Sequence, residues 1–301
     1  MTDLLVYATA TREAVARAVL GAACQATGMG VRLEVFASTG SLYQRLGPRR
    51  GQPFPAEVMW FGPFAAAAAT ADGLLRPHEP ARVADAAIHD ANWMWTSLDY
   101  SAVGVLGEPP VASWPDLATV PRLALADPER SEVGMSLLLA VLDQARQTEG
   151  DAERGWAWWQ QRARSARAVQ PAPASAVATS RGIAFAEDDA GGAELIGEAG
   201  VTHALTLADS ATPLVGLAPI PHAVGLAAHS RNLDDARRLL DWLTSEAVAP
   251  AVRLSPWRAA SNGLQALVAA APPLDVEWCR QQYNAARQRW AQSGFAPQIA
   301  G

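Results

Sequence analysis

Three short groups of residues have the types and spacing that hold a small charged molecule. Ser38-Thr39-Gly40-Ser41 follows an apolar stretch and precedes a helical one. Ser131 opens a second helical stretch, just after Asp127-Pro128 breaks an apolar run. Hydroxyls and free N–H groups at a helix start either cap the helix or face an anion, and the sequence leaves both roles open for these serines. The third group, Glu187-Asp188-Asp189, sets three carboxylates side by side at a strand end. Like charges this close repel unless something neutralises them. They read either as a solvated loop, or as a counter-charge for an amine and acceptors for sugar hydroxyls. Trp60, Trp93 and Trp95 fall in or beside loops, where aromatic rings wall a site and stack on sugars or cations; core packing is the other use of such rings. Thr9 stands at the end of the first strand-like run. Arg130, beside Ser131, reads either as an anion contact or as a surface residue of the turn.

Chemistry of other kinds finds little here. All 24 basic residues are Arg, which excludes a lysine nucleophile or Schiff base and leaves the guanidinium fork as the cationic contact. Cys24 and Cys279 lie in helical patterns without a CxxC or a nearby His, and the five His show no metal-ligand spacing. No Gly-x-Ser-x-Gly, Walker or dinucleotide motif occurs. No cofactor and no metal are therefore expected. The formal net charge of −6 speaks against a nucleic-acid surface, which needs a basic face.

The elements that must position these residues alternate. Leu4–Tyr7, Val31–Phe36, Ala56–Phe61, Ser101–Leu106, Leu123–Ala126, Gly182–Ala186 and Ala223–Ala228 read as strands. Helical spacing runs through 12–27, 64–71, 132–142, 151–167, 232–245 and 275–292. Trp156, Trp158, Trp159, Trp242 and Trp290 sit on those helices and read as core. Strand–helix alternation predicts open, mainly parallel sheets covered by helices, with ligands beyond the carboxyl ends of the strands. Two strand–turn–helix corners, one in each half of the chain, predict two lobes. A length of 301 residues accommodates them. No run reaches the ~18 apolar residues of a membrane span, and Met1-Thr2-Asp3-Leu4-Leu5 has no basic start of a leader peptide.

In the order and spacing of its pieces the chain resembles the type II periplasmic binding proteins of ABC importers, in the group of ferric-iron, phosphonate and sugar-phosphate binders. The pieces are Leu5-Val-Tyr-Ala8, Ser38-Thr-Gly-Ser-Leu42, Glu57-Val-Met-Trp60 with Gly73-Leu-Leu75, and Ser113-Trp-Pro-Asp-Leu117. Ala126-Asp-Pro128 with Ser131 and Gly134, Gly182-Ile-Ala-Phe185, Ala236-Arg-Arg-Leu-Leu-Asp-Trp-Leu243 and Glu277-Trp278 complete the series. The resemblance implies a two-lobed α/β fold with a hinge of crossing strands near 102–106 and 223–228. Lobe 1 would be 1–101 plus 224–268, and lobe 2 would be 102–223 plus 269–301. It implies a solute trapped between the lobes and no enzyme activity. It also implies partnership with membrane permease subunits, a monomer, and a periplasmic location if a leader has been removed, or a cytoplasmic one if Met1 is the native start. On the family pattern the anion contacts would be Ser38, Thr39, Gly40, Ser41 and Ser131, and the residues' own chemistry and positions add Thr9, Trp60, Trp95, Asp188 and Asp189 as candidates. The ligand would be a phosphonate or phosphate ester, or a zwitterion such as 2-aminoethylphosphonate. A cationic ligand of the thiamine or polyamine kind, a ferric complex, a non-transport sensor and an enzyme on the same fold are the alternatives. Ferric-iron members carry adjacent tyrosines where this chain has Glu187-Asp188-Asp189, and its four tyrosines (Tyr7, Tyr43, Tyr100, Tyr283) are all separate. Where relatives often show a Ser-Gly-Ser corner, this chain has Ala172-Pro-Ala-Ser175.

Overall fold

Leu4–Thr9 (β1) is buried along its whole length and pairs with a strand on each side. Val31–Phe36 (β2) and Val58–Phe61 (β3) run parallel to it. A strand covered on both faces is expected to be apolar throughout, not alternating, and Leu-Leu-Val-Tyr-Ala-Thr and Val-Met-Trp-Phe fit that rule. The computed structural model of the chain describes residues 3–9, 12–36, 42, 45, 55–81, 89–111, 113, 116–120, 123–126, 128, 132–165, 185–186, 203–206, 212–248 and 272–293.

The chain divides into two compact units, Met1–Tyr100 with Pro221–Ser261, and Ser101–Ile220 with Asn262–Gly301. Unit 1 holds a six-stranded sheet of order β2-β1-β3-β11-β4, with Thr96–Ser101 (β5) also paired to β11. Here β4 is Leu75–Arg76 and β11 is Ile220–Ala227, which runs antiparallel to β3 and β4. Glu13–Thr27 (α1) and Leu233–Thr244 (α5) share one core with this sheet. Leu4, Val6, Ala8, Val58, Trp60, Leu98, Val224 and Leu226 pack there with Val15, Val19, Leu239 and Leu243. Each fully buried aliphatic side chain of this kind contributes about 1.5–3 kcal/mol. Pro63–Ala71 (α2) follows β3 directly, with Pro63 in its first turn.

Unit 2 carries a second mixed sheet of order β10-β6-β9-β7-β8. Its members are Gly104–Gly107 (β6), Leu123–Ala126 (β7), Phe185–Ala186 (β8), His203–Thr206 (β9) and Thr212–Pro213 (β10). Glu132–Glu149 (α3) contacts β7 and is flanked by Ala152–Ser165 (α4) and Val276–Gln292 (α6). This explains why 137–142 of α3 is buried without a polar stripe. Gly155 lets α4 approach closely: a Cβ there would lie 3.0 Å from the Leu142 Cα and the Val141 carbonyl oxygen. Buried Asp143 joins α3 to α6, accepting from Arg146 (2.6 and 3.0 Å), Gln147 (2.7 Å) and the Asp275 N–H (2.8 Å). Asp275 in turn caps α6, accepting from the Trp278 N–H at 3.0 Å.

The reading of 101–106 as one strand needs correction. Two strands stand there, β5 ending at Ser101 and β6 beginning at Gly104, and they belong to different sheets. Periodicity cannot show such a transfer, since which sheet a strand joins is decided by partners far along the chain. The strands β9 and β10 carried no signal, being short pieces of four and two residues. Trp156, Trp159 and Trp290 are buried as expected, while Trp158 and Trp242 are half-buried.

At the amino end of β3 a buried carboxylate closes the ladder. Glu57 donates its N–H to the Leu5 carbonyl at 2.8 Å and accepts the Leu5 N–H on Oε2 at 2.6 Å. Burial raises its carboxyl above the ordinary value, opposed by those backbone hydrogen bonds and by Arg231 and Arg32. A raised folded-state value means that the folded chain binds the proton more tightly. Stability should therefore fall as pH rises from about 4.5 through the folded value. Glu57→Gln keeps an acceptor for the Leu5 N–H and should flatten this slope in urea titrations run between pH 4.5 and 7. Glu57→Ala leaves that N–H unpaired and should cost about 1–3 kcal/mol.

Candidate functional site

Because β1, β2 and β3 are parallel, their carboxyl ends lie along one edge of the unit 1 sheet. The register sets Thr9 level with Phe36, and Ala8 level with Trp60. The antiparallel β11 brings Ala223 opposite Phe61, so His222 reaches the same edge. Helices α1 and α2 also begin there, and neither start has a side-chain cap: Arg12 supplies none and Gly62 has no side chain to give. An edge built this way presents backbone donors and the positive ends of two helix dipoles.

The edge is polar but buried. Thr9, Arg12, Asp99 and His222 are each at most 5% exposed. The Arg12 guanidinium donates from Nη1 to Asp99 Oδ2 at 3.1 Å, and both side chains are out of solvent. The pair joins the start of α1 to β5 across 87 positions of sequence. His222 is pushed well below the ordinary histidine value, first by burial and then by the nearby Arg12 charge, so it stands neutral at physiological pH. Ser97 and Ser101 lie on the same face of β5 as Asp99, and Ser97 shares a 3.1 Å hydrogen bond with the Tyr100 hydroxyl. On β1, Tyr7 packs edge-on against Phe36, ring centres 4.9 Å apart. The cation at this edge is thus already balanced by Asp99. A negative ligand here would be met by N–H groups and hydroxyls, not by an unspent charge.

Of the residues expected to make contacts, Thr9 lies at this edge. Trp60 faces the other way, into the core between the sheet and α1 and α5. Trp95 is buried beside β11 and α5, lining a small, partly open pocket of unit 1. Ser38, Thr39, Gly40, Ser41, Arg130, Ser131, Glu187, Asp188, Asp189 and the 172–175 corner lie outside the described residues. Arg12 and Asp99 were passed over in the sequence. The available signal was the alternation Ser97, Asp99, Ser101 in a segment otherwise fit for a buried strand, which demands a partner for the carboxylate.

Among the described residues no cluster of three His, Cys, Asp or Glu is arranged to hold a metal ion, and no helix is long and apolar enough to cross a membrane. Cys24 and Cys279 are both free thiols, and burial pushes the Cys279 thiol far above its ordinary range.

No protein-family model matches the sequence. No curated protein matches it either. Solved structures do match the fold along the whole chain. Apo ferric ion-binding protein A of Pasteurella haemolytica superposes with a TM-score of 0.71 at 14% identity, covering 100% of both chains. The periplasmic binding protein AfuA of Actinobacillus pleuropneumoniae, solved with fructose-6-phosphate bound, gives 0.62 at 14% identity over 99% of each chain. An ABC transporter structure from Clostridium perfringens gives 0.65 at 13% identity over 96% of this chain and 99% of that one. The chain has the two-lobed periplasmic binding protein fold, mixed α/β in both units.

The Arg12–Asp99 pair makes a stability prediction. Removing one partner of a buried ion pair strands the other charge, so Asp99→Asn should destabilise by about 3–5 kcal/mol. Replacing both by apolar residues, Arg12→Met with Asp99→Leu, should restore most of that loss in denaturant titrations. A single variant close to wild type would mean that another group neutralises Arg12.

Proposed function

We propose that this chain is the solute-binding component of an ABC importer and captures a small anion or zwitterion, a phosphonate or phosphate ester. The observation that carries this reading is the carboxyl edge of unit 1, where two helix starts without side-chain caps stand beside Thr9. Such an edge favours an oxyanion through N–H donors and helix dipoles. The fold is one that AfuA, a periplasmic binding protein, displays with a sugar phosphate bound. In this reading Thr9, Ser38, Thr39 and Ser41 supply the contacts from unit 1, and Ser131 those from unit 2. Asp188 and Asp189 receive the amine of a zwitterion. The protein binds and releases, without catalysis. It works in the periplasm with membrane permease subunits, as a monomer.

A ferric reading, which the name of the Pasteurella protein brings up, is weaker for the residues of this chain. The four tyrosines, Tyr7, Tyr43, Tyr100 and Tyr283, are all separate in the sequence, where the ferric-iron pattern has adjacent ones.

Calorimetric titration with 2-aminoethylphosphonate and with inorganic phosphate tests the proposal. Binding is expected, and Ser38→Ala or Ser131→Ala should weaken it at least tenfold while moving the melting temperature little. Variants that lose stability and keep affinity would make these serines helix caps only.

A further inference from the structure

We propose that Asp99 is a specificity-determining residue of the carboxyl edge of unit 1. By balancing Arg12 it makes the edge favour a zwitterion over a ligand with the same phosphonate headgroup and one more net negative charge. The inference rests on the anion site proposed for that edge and names the net charge of its ligand. It starts from a conflict with local rules. Arg12 stands at the N-cap of α1, where the helix dipole is positive and an acceptor or acidic side chain is the stabilising choice. Arg12 is instead a cation, supplies no side-chain cap and is 2% exposed. Its charge is balanced by Asp99, fully buried, which accepts from Nη1 at 3.1 Å. A buried pair of this kind adds little stability over apolar residues of similar volume. Sequences that break local rules do so mainly at functional sites.

The elements around the pair leave the charge of the edge to these two residues. Strands β1, β3, β5 and β11 and helix α2 carry no carboxylate, histidine or arginine besides Asp99 and His222. On α1, Glu13 pairs with Arg17 at the exposed surface. His222 adds no charge, since burial holds it neutral, and the Arg12 charge acts in the same direction. The field of Arg12 is thus felt at β11, which pairs with the strand that carries Asp99. Charges out of solvent act over longer distances than exposed ones, because water and salt screen them less. Neutralising Asp99 leaves the edge one unit more positive and favours the more negative ligand. Neutralising Arg12 does the opposite.

The test is calorimetric titration with 2-aminoethylphosphonate and with ethylphosphonate, which has the same headgroup and lacks the ammonium. At about pH 9 the ammonium persists and both headgroups are fully ionised. Wild type is expected to bind the zwitterion more tightly. Asp99→Asn should move the ratio of the two Kd values about three- to tenfold toward ethylphosphonate, and Arg12→Gln should move it toward the zwitterion. The double variant should return the ratio toward that of wild type. The single variants lose stability, so the titrations contain sucrose, which favours the compact state; either variant that is folded by circular dichroism decides. A pair that only holds the fold would weaken both ligands alike. An unchanged ratio in a folded single variant, or a wild type that prefers ethylphosphonate, would overturn the inference alone. A wild type that binds neither compound would overturn the proposed anion site, and the inference with it.

Discussion

The parallel pairing of β1 with β2 and β3 is the constraint on which the rest of unit 1 depends. Parallel strands need crossovers, and a sheet buried on both faces leaves polar loops only its edges. The starts of α1 and α2 therefore fall at the carboxyl edge, with their N–H groups unclaimed by side-chain caps. Burial then decides which ions the edge tolerates. Arg12 is paired there with Asp99, and burial keeps His222 neutral. In the proposed reading a ligand meets dipoles and hydroxyls around a balanced pair, a field suited to an oxyanion without a permanent surplus of positive charge.

Unit 2 solves the same packing problem with different residues. Its central helix α3 is buried through 137–142 because β7, α4 and α6 all touch it. Gly155 allows the α3–α4 approach, and the fully used carboxylate of Asp143 fixes α6. Arg146 and Arg289 lie over the Trp278 and Trp156 rings at 4.7 and 4.5 Å, so the arginine-only composition also serves packing at the surface.

Much of this architecture was legible from the residues. Leu-Leu-Val-Tyr-Ala before a helical repeat announced β1–α1, and Glu-Val-Met-Trp-Phe before Gly-Pro announced β3–α2. The transfer between sheets at 101–104 was not legible, because which sheet a strand joins is decided by partners far along the chain. The Arg12–Asp99 pair was not legible as a pair either: the alternation around Asp99 asks for a partner, but a contact across 87 positions does not name it. Trp60 and Trp95 show the limit of reading aromatic residues near strand ends. Side-chain direction sends Trp60 into the core, and Trp95 lines a small pocket beside β11 and α5. The serine corners and the acidic triplet remain sequence arguments, resting on what hydroxyls and carboxylates do at element ends.

The central claim is that the chain holds a small phosphonate or phosphate ester. A thermal-shift panel on the purified chain tests it most directly, with 2-aminoethylphosphonate, inorganic phosphate, sugar phosphates, ferric citrate, thiamine and a polyamine. A true ligand at a hundred times its Kd stabilises by about 2.7 kcal/mol, a rise of several degrees in melting temperature. The account predicts such a rise with phosphonates or phosphate esters and none with thiamine, the polyamine or ferric citrate. A rise confined to the cations or to the ferric complex, or no rise with any compound, would contradict it.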